Sequence, residues 1–209
     1  MTMQLSAKNL VCRRGGRTVF SGLSFTVGQG EGLLLEGPNG TGKTSLLRIL
    51  AGFGALEAGT LELNGADDEL TIGQRAHYLG HQNALKLALS VEENLSFWSR
   101  FMGQPASAST IEERLDAFNL GHLLSYSAGL LSAGQKRRLA LSRLELVSRP
   151  IWLLDEPSVG LDTASCALLA AAMARHMEAG GLLIASTHLD LGLTFTHKVN
   201  MGEIAGAAP

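Results

Sequence analysis

Apolar residues along this chain change period several times, and each change marks an element. Between residues 19 and 27, Val19, Leu23, Phe25 and Val27 fall at mostly alternating positions, which predicts a half-buried antiparallel strand broken by Gly28 and Gly30. The next run, Leu33-Leu34-Leu35, is continuous and leads into Glu36 and a glycine loop, as in a strand buried on both faces. Ser45 to Ala51 reads as a helix with Gly52 as its stop. From about Ser90 to Val147 the pattern is largely helical. Ser90 and Glu93 form a capping-box pair opening a helix that carries Val91, Leu95 and Trp98 inward. Ile111 to Phe118 reads as a second helix with Ile111, Leu115 and Phe118 on one side, and a third begins just after Leu131 with Leu139, Leu146 and Val147. Two further buried strands, Ile151 to Leu154 and Leu182 to Ala185, flank an alanine-rich helix from Ala164 to about Glu178. No repeat or long linker interrupts this order, which predicts an α/β plan with a mostly parallel sheet and an inserted helical lobe, as one compact domain over 1–209.

Composition narrows the function classes. A formal charge of -2 and a pI near 6.3 give no basic field of the kind nucleic-acid binding requires, so no nucleic-acid partner is expected. The two cysteines, Cys12 and Cys166, are far apart and lack metal-ligand spacing, which argues against a disulfide framework, a zinc site or covalent haem attachment. Met1 to Leu10 is a short amphipathic run without the apolar core of a signal peptide. The longest apolar tract, Ala164 to Ala174, falls far short of the roughly 20 residues that span a bilayer, so any membrane-spanning part is expected on a separate polypeptide.

The chemistry concentrates at two strand ends. Gly37-Pro38-Asn39-Gly40-Thr41-Gly42-Lys43-Thr44 satisfies G-x-x-x-x-G-K-[ST] at every fixed position and lies between a buried strand and a helix, the context that makes the motif specific. Its glycines let backbone N–H groups ring the phosphates of ATP, Lys43 adds a point charge, the Thr44 hydroxyl is placed to ligate Mg²⁺, and the helix N-terminus faces the same anion. Downstream, Ile151-Trp152-Leu153-Leu154 delivers Asp155 and Glu156: Asp155 to hold Mg²⁺ through water, Glu156 to polarise the attacking water as general base.

Leu131-Ser132-Ala133-Gly134-Gln135, followed by Lys136-Arg137-Arg138-Leu139, resembles the LSGGQ signature of ABC ATPases with alanine at its third position. The resemblance covers essentially the whole chain and implies an ABC-type P-loop NTPase: a parallel core, an antiparallel β subdomain, and a helical subdomain at about 83–147. It implies that Ser132 and Gly134, at a helix N-terminus, form a second anion site closing on ATP held by the opposite subunit of a homodimer. Gln82 resembles the Q-loop glutamine that contacts Mg²⁺ and the water. Asp162, in Gly160-Leu161-Asp162, resembles the D-loop aspartate, and His188 the switch histidine that holds the γ-phosphate and Glu156 in register.

Within the family, Glu36 through Arg48, Leu79-Gly80-His81-Gln82 and Leu130 through Leu141 are most similar to the ATP-binding subunits of haem exporters in bacterial cytochrome c maturation. That resemblance implies an ATP-hydrolysing subunit, peripheral on the cytoplasmic face of the inner membrane, working with separate transmembrane permease subunits in haem export or haem-chaperone release. Another cargo, such as lipoprotein release, and a soluble non-transport ABC ATPase remain alternatives. Two features depart from the general pattern or stay open. Where many relatives stack an aromatic ring on adenine, this chain has Cys12-Arg13-Arg14-Gly15, so Arg13 or Arg14 is either a cation–π substitute or a solvated loop charge. Leu85, Leu87 and Leu89, with Lys86 among them, form either an apolar docking edge for a membrane subunit or part of the lobe's packing.

Overall fold

In a computed structural model the chain is described over residues 2–66 and 69–204; Met1 of the leading run and the last five positions of the 1–209 span lie outside this range. In chain order the elements are β1 (Gln4–Arg14), β2 (Arg17–Gly28), β3 (Gly32–Glu36), α1 (Lys43–Leu50), β4 (Ala58–Asn64), β5 (Ala76–Leu79), α2 (Val91–Phe101), α3 (Ala108–Asp116), α4 (Ala133–Leu146), β6 (Ile151–Asp155), α5 (Thr163–Glu178), β7 (Leu182–Ser186), β8 (His197–Asn200) and α6 (Met201–Ile204). They form two compact units. One takes the chain to Gly80, Pro150–Pro157 and the residues from Met173 on; the other takes His81–Arg149 and Ser158–Ala172.

The first unit holds both sheets. Five strands run parallel in the order β5-β6-β7-β3-β8, and three run antiparallel in the order β2-β1-β4. β3, β6 and β7 are continuous apolar runs because both of their faces are covered. Leu33, Leu35, Leu46, Leu47, Ile151 and Ile184 join Leu5, Leu10, Phe20 and Leu23 in one core. The strand expected at 19–27 is longer than its pattern, and Phe20 is buried beside Leu23 instead of alternating with it. Between the pairs Leu10↔Leu23 and Cys12↔Phe20, β2 carries one residue more than β1, so a bulge at the positive-φ Gly22 turns both side chains inward. A compensating bulge in β1 lies between Ala7 and Leu10, where Asn9 takes φ 51° and its N–H bonds the Ser24 hydroxyl at 2.8 Å.

α1 begins two residues earlier than its apolar pattern, with Lys43 and Thr44 already in its first turn. It ends where Gly52, at φ 80°, lets the Gly52 and Phe53 N–H groups bond the Ile49 and Arg48 carbonyls, a paired C-terminal cap.

The second unit is helical. The Ser90–Glu93 capping box opens α2, burying Val91 and Leu95, while Trp98 is only partly covered. In α3, Ile111 and Leu115 are buried together with Phe118 just beyond its end. α4 packs against both α2 and α3 and is buried almost all round from Leu139 to Leu144, with Arg137 and Arg143 enclosed, which is why no single apolar stripe described it. Among the described residues, no helix is long and apolar enough to cross a membrane.

One partly buried group in the first unit makes stability depend on pH. His176 stacks on Trp152 with ring centroids 4.1 Å apart and 9° between planes, and its Nε2 lies 3.2 Å from the Leu182 carbonyl. Burial lowers its pKa from 6.5 to about 4, opposed by the bond to Leu182. Below pH 6.5 the unfolded chain takes up a proton that the folded chain refuses until about pH 4. Stability is therefore flat above that window and falls through it by on the order of 3 kcal/mol. His176→Phe, which keeps a ring on Trp152, is expected to remove this part of the slope; urea midpoints of both proteins at about pH 7.5 and about pH 4.5 check it.

Candidate functional site

Three neighbouring parallel strands end at one place. β7 lies between β3 and β6, so Ser186 is in register with Leu35 on one side and Asp155 on the other, and the Gly37–Thr44 loop leaves the end of β3 beside them. Carboxyl ends of parallel strands are where open α/β sheets place ligands.

The loop is a cradle by necessity of its backbone. Gly37, Gly40 and Gly42 have φ of 124°, 87° and 103°. A Cβ on Gly42 would lie 2.7 Å from Val19 Cγ1, and one on Gly37 would lie 2.9 Å from the Gly202 nitrogen. Gly42 is also the N-cap of α1 and supplies no side-chain cap, so the opening N–H groups of the helix are left to serve an anion. Thr41 Oγ1 donates to the Pro38 carbonyl at 2.9 Å and braces the loop. The buried Lys43 donates through Nζ to the carbonyls of Gly37 at 2.5 Å and Pro38 at 3.2 Å, holding a cation inside the turn.

Around it stand the polar ends of α1, β6 and β7. Thr44 Oγ1 donates to Asp155 Oδ2 at 2.7 Å, and Ser186 Oγ donates to Asp155 Oδ1 at 2.8 Å. The Glu156 N–H bonds both the carbonyl and the hydroxyl oxygen of Ser186, at 3.0 and 3.2 Å. These bonds hold Glu156 at φ 48°, a left-handed conformation unfavourable for a residue with a Cβ. His188 Nε2 lies 3.2 Å from Glu156 Oε1 and within hydrogen-bond reach of Asn39 Oδ1 at 3.4 Å. Of the residues expected at the site, Gly37 through Thr44, Asp155, Glu156 and His188 are thus brought together in the first unit.

The others lie in the second unit. Ser132 is the N-cap of α4 in a capping box with Gln135, its hydroxyl accepting from the Gln135 N–H at 3.2 Å, which leaves its own proton to donate outward. A Cβ on Gly134 would approach the Gly160 carbonyl to 3.2 Å, so the signature and the Gly160–Asp162 turn are packed together. Asp162 is exposed and caps α5, its Oδ1 accepting from the Ser165 N–H at 2.8 Å; the Ser165 side chain and then its backbone hold the carboxyl below the usual range. Gln82 is exposed.

The family profile described as "ABC transporter" matches residues 20–159. Proteins named cytochrome c biogenesis ATP-binding export protein CcmA align over nearly the full length. The one from Nitrobacter winogradskyi is 50% identical over 91% of this chain and 94% of its own. That from Nitrobacter hamburgensis is 52% identical over 91% and 95%, and that from Bradyrhizobium diazoefficiens 48% over 97% and 100%. The chain belongs to the CcmA family of ABC transporter ATP-binding proteins.

Solved structures agree on the fold: an ABC transporter ATP-binding protein assigned in Pyrococcus furiosus superposes with TM-score 0.85 at 23% identity over 97% of this chain and 99% of its own. An ATP-binding subunit of an ABC transporter follows at TM-score 0.76 and 27% identity, over 88% and 80%. As an ABC ATPase this CcmA-family chain binds and hydrolyses ATP. Its departure at Ala133 is readily accommodated, because Ala133 is the exposed first residue of α4, where helical backbone accepts any Cβ.

One residue of the site escaped the sequence reading. Ser186 is fully buried and bridges Asp155 to the Glu156 backbone, yet it stands in the chain as one serine after an apolar run. The only signal was its place at the end of a buried strand, two residues before His188. Ser186→Ala is expected to lower unfolding stability by about 1–3 kcal/mol and to slow ATP turnover by releasing Glu156. Denaturant titration and steady-state ATPase rates check both.

Proposed function

We propose that this chain is the energy-coupling subunit of a membrane ABC transporter serving c-type cytochrome biogenesis, with haem export or haem-chaperone release as the work driven. The observation that carries the ATPase mechanism is the junction where Thr44 meets Asp155 at 2.7 Å and His188 meets Glu156 at 3.2 Å, beside the phosphate loop. The pathway is supported by the near full-length identity to relatives named for cytochrome c biogenesis and export.

In this reading residues 1–209 are a single ATP-binding domain with a helical subdomain at about 83–147. Gly37 through Thr44 bind the phosphates of ATP, and the Lys43 ammonium turns from the loop carbonyls to the anion. Thr44 and Asp155 pair a hydroxyl with a carboxylate, a hard-oxygen donor set that fits Mg²⁺. Asp155, Thr44 and Gln82 would hold it, and when bound it neutralises charge on the phosphates. Glu156 takes the proton of the attacking water, and His188 orients Glu156 while donating to the γ-phosphate. Ser132 and Gly134 of a second copy, with its Asp162, complete each site, so the active form is a homodimer.

The membrane partner is a separate permease, and the protein sits peripherally at the cytoplasmic face of the inner membrane. Its docking surface on the helical unit is an open groove of about 650 Å³ lined by Leu89, Phe97 and Phe101, with Glu93 and Arg100 among its walls. Leu87, 53% exposed, and Phe101, 71% exposed, place apolar area at the surface of the same unit. An apolar patch of this kind, rimmed by charge, suits a short amphipathic helix of the permease.

Glu156→Gln is expected to reduce kcat by at least about a hundredfold while ATP still binds, because it removes the base and leaves the cradle intact. Steady-state turnover and equilibrium nucleotide binding separate the two; loss of binding with turnover, or full turnover, would reject the role. Affinity purification from solubilised membranes tests the pathway. Recovery of permeases of cytochrome c maturation supports it, and recovery of lipoprotein-release or ribosomal partners instead replaces it with one of the alternatives. For Arg14, a drop in ATP affinity in Arg14→Ala of about threefold or more identifies an adenine contact, and unchanged affinity removes it from the site.

A further inference from the structure

The turn that closes β8 lies against the opening of the phosphate loop, although the two are far apart in the chain. β8 runs beside β3 with Asn200 level with Glu36, so the chain leaves β3 into Gly37 and Pro38 beside the place where β8 gives way to α6. The approach is close. A Cβ on Gly37 would lie 2.9 Å from the Gly202 nitrogen and 3.4 Å from Asn200 Oδ1, and a Cβ on Gly202 would lie 3.2 Å from Pro38 Cδ. Glycine stands on both sides of the contact because two stretches of backbone meet there.

The turn is stiff in its own right. Asn200 Oδ1 accepts from the Gly202 N–H at 3.0 Å, and Asn200 Nδ2 donates to Glu203 Oε1 at 2.8 Å, so both ends of the amide are engaged within the turn. Met201 is fully buried in the core that holds Leu33, Leu35 and Leu46, which ties the turn to residues of β3 and α1. From inside, the same two loop residues are held by Lys43, whose Nζ donates to the carbonyls of Gly37 and Pro38. Once the ammonium turns to the anion, those carbonyls lose this donor, and the turn at Asn200 to Gly202 still backs them.

We propose that Asn200 and Gly202 are positioning residues for ATP binding: their turn is a fixed backstop that keeps Gly37 and Pro38 in the conformation that receives the phosphates. The proposal rests on the assignment of Gly37 through Thr44 to the phosphates made above. Its consequence falls on affinity. The junction at Asp155 and Glu156 is tied by Thr44 and Ser186 and does not hang on this turn. A slackened backstop therefore weakens the hold on ATP and ADP alike, while ATP that is bound still turns over.

Asn200→Ala tests this by removing the acceptor for the Gly202 N–H, whereas Asn200→Ser keeps an oxygen that can accept from the same N–H. Gly202→Val sets a branched side chain against Pro38. Full-length wild type, these three variants and Lys43→Ala are compared for equilibrium binding of ATP and ADP and for kcat at saturating ATP, with thermal midpoints to show that each is folded at the assay temperature. Asn200→Ala is expected to weaken both nucleotides about three- to tenfold and Gly202→Val about tenfold or more. Asn200→Ser is expected to bind within about twofold of wild type, and kcat to stay within about twofold in all three. If Asn200→Ala and Gly202→Val bind as wild type while Lys43→Ala binds weakly, the backstop is overturned and the assignment of the loop stands. If Lys43→Ala itself binds ATP as tightly as wild type, that assignment falls and the backstop with it. A merely structural turn would show kcat falling in step with affinity, or Asn200→Ser losing as much as Asn200→Ala, and either result counts against the proposal.

Discussion

Asp155 is a carboxylate with 1% of its surface exposed, and a charge so placed persists only where hydrogen-bond donors converge on it. Thr44 from the first turn of α1 and Ser186 from the end of β7 both donate to it, so three elements far apart in the chain are tied at one point. The sheet order makes this possible. With β7 between β3 and β6, the strand that carries neither the phosphate loop nor the acidic pair still passes between them and ends level with both. Ser186 then uses its hydroxyl to donate to Asp155 while the same oxygen accepts from the Glu156 N–H, and its carbonyl accepts from that N–H as well. Glu156 is held in an unfavourable left-handed conformation by these bonds, with its carboxylate beside His188. Strain of this kind is maintained at functional sites by surroundings that over-determine it.

The helical unit meets the same demand with different chemistry. Its buried Arg137 and Arg143 are cations, and they donate to the side-chain and backbone oxygens of Asn83 in an irregular segment. Such a segment has no ladder of its own, so its polar backbone groups must be satisfied by side chains or by water. Asn94, Trp98 and Arg143 supply them, and the segment gains a defined shape without regular secondary structure. The two units thus each present functional residues on backbone that would not hold its conformation alone.

Much of this was legible in the chain because it depends on short-range rules. Gly37 through Thr44 are recognisable since close backbone approach and positive φ admit few residue types, and the glycines are indeed where a Cβ would collide. The buried runs at Leu33, Ile151 and Leu182 read as strands because continuous apolar sequence requires cover on both faces. The capping box at Ser90 acts within three residues and forms as its spacing indicates, whereas the like box at Ser132 was not read from the sequence. β1, β4, β5 and β8 were not read as strands. β4 and β8 lie at sheet edges with half-exposed alternation, β5 has only four residues, and the alternation in β1 is broken by its bulge.

Local sequence therefore determined the phosphate loop, the acidic strand end, the helix that starts at the signature and the α/β class, because each is encoded by neighbours along the chain. Which strands lie side by side, that Ser186 bridges Asp155 and Glu156, that Phe20 turns inward at a bulge, and that Arg137 and Arg143 close on Asn83 were decided only in three dimensions. Those contacts join residues 30 to 60 positions apart where the hydrogen bonds are concerned, and they exist because buried charges and irregular backbone take whatever partners the packed fold brings within reach.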